Sequence, residues 1–215
     1  MQIIRKSSFA TSSWKNGGGV THEAIRIPKG ADAFRWRVSV AEIHEPGPFS
    51  DFAGYDRYMV LMRGAGVRLT FDGRESRELR HPGDMARFDG AAATTCALLG
   101  GACVDLNLMV SQEIKGTRAW TERLETPRRL EPDRGSLLVF AIGGSLWLDA
   151  ADGGRETLGE WDLAVLSGAD AALTPRRPDP AASPGAAGGG SGSRTESPAP
   201  LVFFAAVDDN SAHHS

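Results

Sequence analysis

Between Val60 and Ala93 the apolar residues fall on a two-residue beat. Val60 and Met62 are followed by Val67, Leu69 and Phe71 beyond a turn at Gly64–Gly66, and by Leu79, Met85 and Phe88 beyond a turn at Asp72-Gly73. That period predicts half-buried strands, and the glycine-marked breaks predict tight turns between them. The pattern returns further along the chain. At a constant offset of 78 positions, Gly66 falls on Gly144, Arg77 and Glu78 on Arg155 and Glu156, Asp84 on Asp162, and Ala86 on Ala164. The same offset carries Gly90 to Gly168, Ala91 to Ala169 and Ala93 to Ala171. Chance matches arise in a Gly- and Ala-rich chain, but here turns and strands coincide with the identities, which predicts an internal duplication. The expected fold is all-β, with two small antiparallel sandwiches.

The flanking segments extend the picture. A first strand is expected from about Ile3 to Phe9, followed by Trp14-Lys15-Asn16-Gly17-Gly18-Gly19-Val20-Thr21. Three consecutive glycines admit positive φ and close approach, so this loop can present bare N–H groups beside a cation, an amide and a hydroxyl. That mixture suits a carboxylate or carbonyl ligand; the alternative is a surface turn anchored by Trp14. No Gly-Lys-Ser/Thr follows the glycines, so the loop is not a phosphate P-loop. From Phe34 to Ile43 the chain alternates, with Phe34, Trp36, Val38 and Val40 on one face and Arg35, Arg37 and Ser39 on the other. This predicts a half-buried strand. The irregular stretch Glu45 to Arg57 mixes aromatic and charged groups, as ligand-meeting loops do.

Cys103 to Val110 reads as a strand with Asp105, Asn107 and Met109 on one face, either in a barrel mouth or in solvent. Thr117 to Leu130 is polar and is expected to be a connector, with a short helical turn as an option. The second unit is poorer in polar groups. Its run Leu137-Leu138-Val139-Phe140-Ala141-Ile142 predicts a strand buried on both faces. The Pro-, Gly- and Ser-rich segment 176–200 cannot bury enough apolar surface to offset its chain entropy and is expected to be a disordered insert. Leu201 to Val207 then returns as a strand that completes the second barrel.

Composition narrows the function classes. The net charge of −3 with both signs scattered argues against a polyanion-binding surface, so no nucleic-acid partner is expected. No apolar run approaches the ~20 residues of a spanning helix, and the first residues lack the apolar core of a secretion signal. Cys96 and Cys103 are the only cysteines and are read as buried reduced thiols on either side of a hairpin turn at Gly100-Gly101, with Cys103 opposite Leu98. A cytoplasmic location follows as an expectation. Two histidines at His-x-His with a nearby carboxylate can share a metal on one strand face, and here His22, His44, His81, His213 and His214 nowhere form that motif. The sequence predicts no metal and no cofactor, and it contains no Gly-x-Ser-x-Gly nucleophile elbow.

Four ordered motifs carry a family resemblance. Trp14 to Thr21, Phe34-Arg35-Trp36-Arg37 with Ser39, Gly47-Pro48-Phe49-Ser50 with Phe52, Gly54 and Arg57, and Asp105 to Met109 together resemble the HutD/Ves family. The resemblance implies a bicupin: two RmlC-like antiparallel β-barrel units, expected at 1–118 and 119–215, with the ligand pocket in the first. Family members are associated with histidine degradation, which implies binding of a small acidic metabolite of the N-formylglutamate or urocanate class. The candidate site comprises Lys15, Asn16, Gly17, Gly18, Thr21, Ser39, Ser50, Arg57, Asp105 and Asn107. Lys15 and Arg57 would hold carboxylates, while Asn16 and the Gly17-Gly18 backbone would meet a carbonyl oxygen. Two functions stand open: a non-enzymatic binder modulating catabolism, or a metal-independent isomerase or hydrolase with His44, His81 or Glu45 as general base. A homodimer is left open.

Overall fold

A computed structural model describes residues 1–131, 135–167, 171–176 and 198–209. After β1 (Gln2–Ile4) and a 3₁₀ turn at Lys6–Ser8 come β2 (Ala10–Ser13), β3 (Gly19–Ile27), β4 (Trp36–Ile43), β5 (Gly47–Pro48) and β6 (Tyr55–Arg63). The chain continues through β7 (Val67–Phe71), β8 (Glu75–Leu79), β9 (Met85–Asp89), β10 (Thr94–Leu98) and β11 (Cys103–Ser111). The later strands are β12 (Arg118–Arg123), β13 (Arg128–Leu130), β14 (Ser136–Gly143), β15 (Ser145–Ala150) and β16 (Arg155–Leu158). β17 (Leu163–Ser167), β18 (Ala171–Arg176) and β19 (Leu201–Val207) complete the order. The described fold is all-β and antiparallel, as the alternation predicts.

Four sheets stack as four layers. The inner sheets are β2-β3-β4-β11-β6-β9 and β1-β17-β14-β19-β12, and the outer ones are β5-β10-β7-β8 and β13-β18-β15-β16. Period-two alternation sends each inner strand's residues into two different cores. Trp36, Val38, Val40, Leu106 and Leu108 meet Leu138, Phe140 and Phe203 between the inner sheets. Ile43, Met59, Leu61, Leu69 and Leu79 fill the first sandwich. Leu137, Val139 and Ala141 fill the second, so the apolar run of β14 is buried on both faces.

The duplication is visible in backbone detail. Before β9, the Gly83 N–H donates to the Leu61 carbonyl at 2.8 Å; before β17, the Trp161 N–H donates to the Ala141 carbonyl at 2.7 Å. Both residues have positive φ, +97° and +70°. A tryptophan is disfavoured in that region. Here the buried ring lies under the Lys6 ammonium at 3.7 Å and the Arg63 guanidinium at 5.1 Å, contacts that fix it in place. Gly66 and Gly144 mark equivalent hairpins, although the offset drifts by one beyond them. Val67 pairs with Leu79, whereas Leu146 pairs with Leu158.

Several local expectations need correction. The first strand stops at Ile4, because Asp162 accepts the Lys6 N–H at 2.9 Å and turns the chain out of the sheet. β1 belongs with the second half, where Ile3 pairs with Ala164. Thr117 to Leu130 is no plain connector: it supplies β12 and β13 to the two sheets of the second unit. Gly100-Gly101 does not close a hairpin. β10 lies in an outer sheet beside β7, while β11 lies in an inner sheet between β4 and β6, so Cys103 pairs with Ile43 rather than Leu98. Both cysteines are nevertheless free and buried. Most of the 176–200 segment, the positions 168–169, and His213 and His214 lie outside the described residues.

Candidate functional site

Inside the first sandwich, one face of the inner sheet changes character along its strands. On β4 it runs Ile43, Ala41, Ser39, Arg37; on β6, Leu61, Met59, Arg57; on β11, Cys103, Asp105, Asn107, Met109. The apolar end packs against β7 and β8. The polar end borders a cavity of about 530 Å³, with Phe49, Ser50 and Phe52 along one wall and Lys15, Asn16 and Trp14 at the loop side. Of the ten candidate residues, Lys15, Asn16, Thr21, Ser39, Ser50, Arg57, Asp105 and Asn107 all line it. Gly17 and Gly18 do not.

The glycine loop is corrected in a second respect. The Gly17 N–H donates to the Trp14 carbonyl at 3.0 Å, and the Gly18 N–H donates to Asn16 Oδ1 at 3.1 Å. These donors, expected to cradle a ligand oxygen, hold the loop itself. The Gly18 carbonyl in turn accepts from His44 N–H at 2.9 Å, and Trp14 Nε1 donates to Thr21 Oγ1 at 2.8 Å. The loop is thereby a fixed rim carrying Lys15.

The deep end of the cavity is built on three side chains. Arg57 is 5% exposed and Asp105 1% exposed. Arg57 Nη2 donates to Asn107 Oδ1 at 3.1 Å, and Asn107 Nδ2 donates to Asp105 Oδ2. Arg57 Nη1 reaches the Ser50 carbonyl only at 3.5 Å, and its guanidinium lies 5.0 Å from the ring centres of Phe49 and Phe88. Arg57 Nε and Asp105 Oδ1 are buried without hydrogen-bond partners. Burial pushes the Arg57 guanidinium down to about 10, with Asp105 opposing that shift and Arg37 adding to it; the group is still charged at neutral pH. Burial pushes the Asp105 carboxyl up to about 7, outweighing the pull of Arg57 and of the Asn107 amide.

Arg37 also lines the cavity, although its alternation with Arg35 placed it on a polar outer face. Its Nε donates to Glu23 at 2.6 Å. Burial alone would raise the Glu23 carboxyl, but Arg26 and Arg37 together hold it below its ordinary value. Arg37, Phe49, Phe52 and Met109 are among the lining residues that the sequence reading left out. All four fall within the quoted motifs, and the signal that points to Arg37 is that β4 is a central strand with an interior on both sides.

Register pairing shows what the second unit has in the same places. Arg57 sits opposite Phe88 on β9, as Leu137 sits opposite Leu166 on β17. Asn107 sits opposite Met59, as Phe204 sits opposite Val139; Asp105 sits opposite Leu61, as Val202 sits opposite Ala141. Ser39 beside Asn107 corresponds to Trp120 beside Phe204. In the second unit these two aromatic rings stack at 5.2 Å where the first unit has the Ser39 and Asn107 side chains. A cavity of about 430 Å³ lies at the corresponding end of the second unit, bordered by Arg118, Trp120, Arg128, Leu137 and Ala206, but the buried Arg57-Asn107-Asp105 group has only apolar counterparts there, Leu137, Phe204 and Val202.

The histidines stand elsewhere. His22 Nε2 meets Glu42 Oε1 at 2.9 Å on the face of the sheet opposite the cavity, with His44 3.5 Å from the same carboxylate. The hydrogen bond from His22 is the main reason the Glu42 carboxyl lies below its ordinary value. The His81 side chain is 83% exposed. None of these, nor Glu45, lines the cavity. Among the described residues no group of three or more His, Cys, Asp or Glu is arranged to hold a metal.

Comparison with known proteins follows the same outline. A family model described as HutD matches residues 6–181. An uncharacterised 21.2 kDa protein in the hutC 3′ region of Pseudomonas putida is 37% identical over 174 residues, covering 80% of this chain and 90% of that one. The structure of HutD from Pseudomonas fluorescens SBW25, determined in a formate condition, superposes with a TM-score of 0.71 at 28% identity, over 96% of this chain and 98% of that one. A cupin 2 conserved barrel domain protein from Leptotrichia buccalis shares the fold, with a TM-score of 0.55 at 12% identity over 96% of each chain.

Proposed function

The chain belongs to the HutD family, and on that premise we propose that the cavity of its first unit binds the anion of a small carboxylic acid. The observation that carries this reading is Arg57. It is a buried cation for which no carboxylate lies within ion-pair distance among the described residues, and its Nε has no partner. Burying an unpaired charge is costly, and an incoming carboxylate supplies the missing counter-charge and a two-point hydrogen bond. Arg37 and Lys15 border the same space and add positive potential. The relative in the hutC 3′ region supports a place in histidine utilisation, so N-formylglutamate and urocanate are the first ligands to try. The protein would then act as a non-enzymatic sensor or modulator of that catabolism.

An enzymatic reading has one observation in its favour: Asp105, with a carboxyl near neutrality and a bare oxygen, has the properties of a general acid or base. Both readings use the same cavity. A thermal-shift panel of small mono- and dicarboxylates, including N-formylglutamate and urocanate, tests the binding claim. A ligand at 100 times its dissociation constant stabilises by roughly 2.7 kcal/mol. Proton NMR of the same mixtures over hours then separates a ligand that persists from a substrate that is consumed. A panel in which no acid shifts the melting temperature would count against the proposal.

A further inference from the structure

We propose that Asp105 is the specificity-determining residue of the cavity: its Oδ1 accepts a hydrogen bond from an N–H on the ligand, so acids carrying such a donor are chosen over isosteres that lack it. The inference rests on the reading of the cavity as a carboxylate site and adds to it a polarity at the other end. Asp105 is 1% exposed, lines the cavity and leaves Oδ1 without a partner. A buried acceptor of that kind discriminates strongly, because a ligand without the matching donor leaves it unpaired and dry.

Three residues fix this polarity. Arg57 has only N–H groups to offer, so the Asn107 amide must turn its oxygen toward Arg57 Nη2, at 3.1 Å. The Asn107 NH₂ is then forced toward residue 105, where it donates to Oδ2. Position 105 must present an acceptor to Asn107, and the other atom of its side-chain head is the one left without a partner beside the cavity. Above about pH 7, where the carboxyl is ionised, that atom in the natural protein is Oδ1, an acceptor. In Asp105→Asn the amide oxygen is required at the Asn107 side, so the NH₂ takes the Oδ1 place and the ligand-facing group becomes a donor. The preference should invert, not merely weaken.

The charged and titratable groups around Asp105 are Arg57 on β6, Arg37 on β4, Lys15 on the β2–β3 loop and the Cys96 thiol on β10. Burial drives the Cys96 thiol up to about 12, so it is neutral near pH 7 and offers no competing charge. A bound acid therefore has a cationic end at the arginines and an accepting end at Asp105. A carboxylate with a nearby amide or ring N–H matches both.

The test uses three glutarate-based compounds titrated calorimetrically at pH 8, where the Asp105 carboxyl is ionised, into the full-length protein and into Asp105→Asn. They are N-formyl-L-glutamate, the formate ester in which oxygen replaces its N–H, and glutarate itself. The inference expects the natural protein to favour the N–H compound over the ester by about tenfold to a hundredfold, and Asp105→Asn to favour the ester. Equal affinities for amide and ester in the natural protein overturn it whatever the variant does, and so does binding of glutarate with rejection of both others; either result leaves the carboxylate reading intact. Binding of none of the three overturns this inference, and the wider acid panel then decides the carboxylate reading by itself.

Discussion

Arg57 and Asp105 border one cavity with opposite charges, yet they are joined only through the amide of Asn107, which accepts from the first at 3.1 Å and donates to the second. Direct contact would have neutralised both and closed the site. The interposed amide keeps one donor of the arginine and one acceptor of the carboxyl buried without partners, beside the cavity that both residues line.

The asymmetry between the repeats can be tested by copying the second unit into the first. A variant with Ser39→Trp, Arg57→Leu, Asp105→Val and Asn107→Phe reproduces the packing of Trp120, Leu137, Val202 and Phe204. Volume and polarity are exchanged together, so no buried charge is stranded. The variant is expected to fold with a melting temperature at or above that of the natural protein, and to show no thermal shift with any acid of the panel. A folded variant that still responds would place the binding site elsewhere.

Asp105 also sets a pH dependence. Its folded value of about 7 lies above that of an exposed aspartate, so between about pH 4 and 7 the folded state holds more protons than the unfolded one. Stability carried by this group is then full below pH 4, falls as pH rises toward 7, and is flat beyond. The span is on the order of a few kcal/mol. Urea denaturation at a series of pH values should show that slope in the difference between the natural protein and Asp105→Asn. A difference curve that is flat from pH 4 to 7 would contradict the buried, under-partnered carboxyl.

How much of this was legible in the sequence differs from residue to residue. The duplicated turns and the apolar face of β4 followed from period and glycine placement. That Asp105 and Asn107 share one face followed from alternation once β11 was read as a strand, but alternation left open whether that face looks into the barrel or into solvent. Arg37 escaped because alternation distinguishes two faces but does not say that both are interior. Gly17 and Gly18 were misread because a glycine loop can spend its N–H groups within itself, that of Gly17 on the Trp14 carbonyl and that of Gly18 on the Asn16 side chain. The hairpin at Gly100-Gly101 and the partner of β1 were out of reach for a different reason. Both depend on which sheet a strand joins, and that is decided by pairings across more than a hundred residues or between layers.

The paired aspartates of the repeat should differ in their weight. Asp84 caps a local turn, accepting from the Arg80 and His81 N–H groups at 2.8 and 2.9 Å. Asp162 accepts from the Gly159 and Lys6 N–H groups and from Arg5, so it also ties down the segment after β1. Asp84→Ala is expected to cost about 1 kcal/mol, and Asp162→Ala about 2–4 kcal/mol because three part-buried donors lose their acceptor together. Chemical denaturation of the two variants measures the order, and a larger loss at Asp84 would reverse it.

The central claim is that Arg57 supplies the charge that draws an acid into the first unit. Calorimetric titration of the acid that gives the largest thermal shift, into the natural protein, Arg57→Ala and Arg57→Lys, measures this most directly. The account predicts a loss of about ten- to a hundredfold in affinity for Arg57→Ala with the fold retained. Arg57→Lys should recover only part of it, because an ammonium restores the charge without the planar two-point geometry. Equal affinity in the natural protein and Arg57→Ala would contradict it.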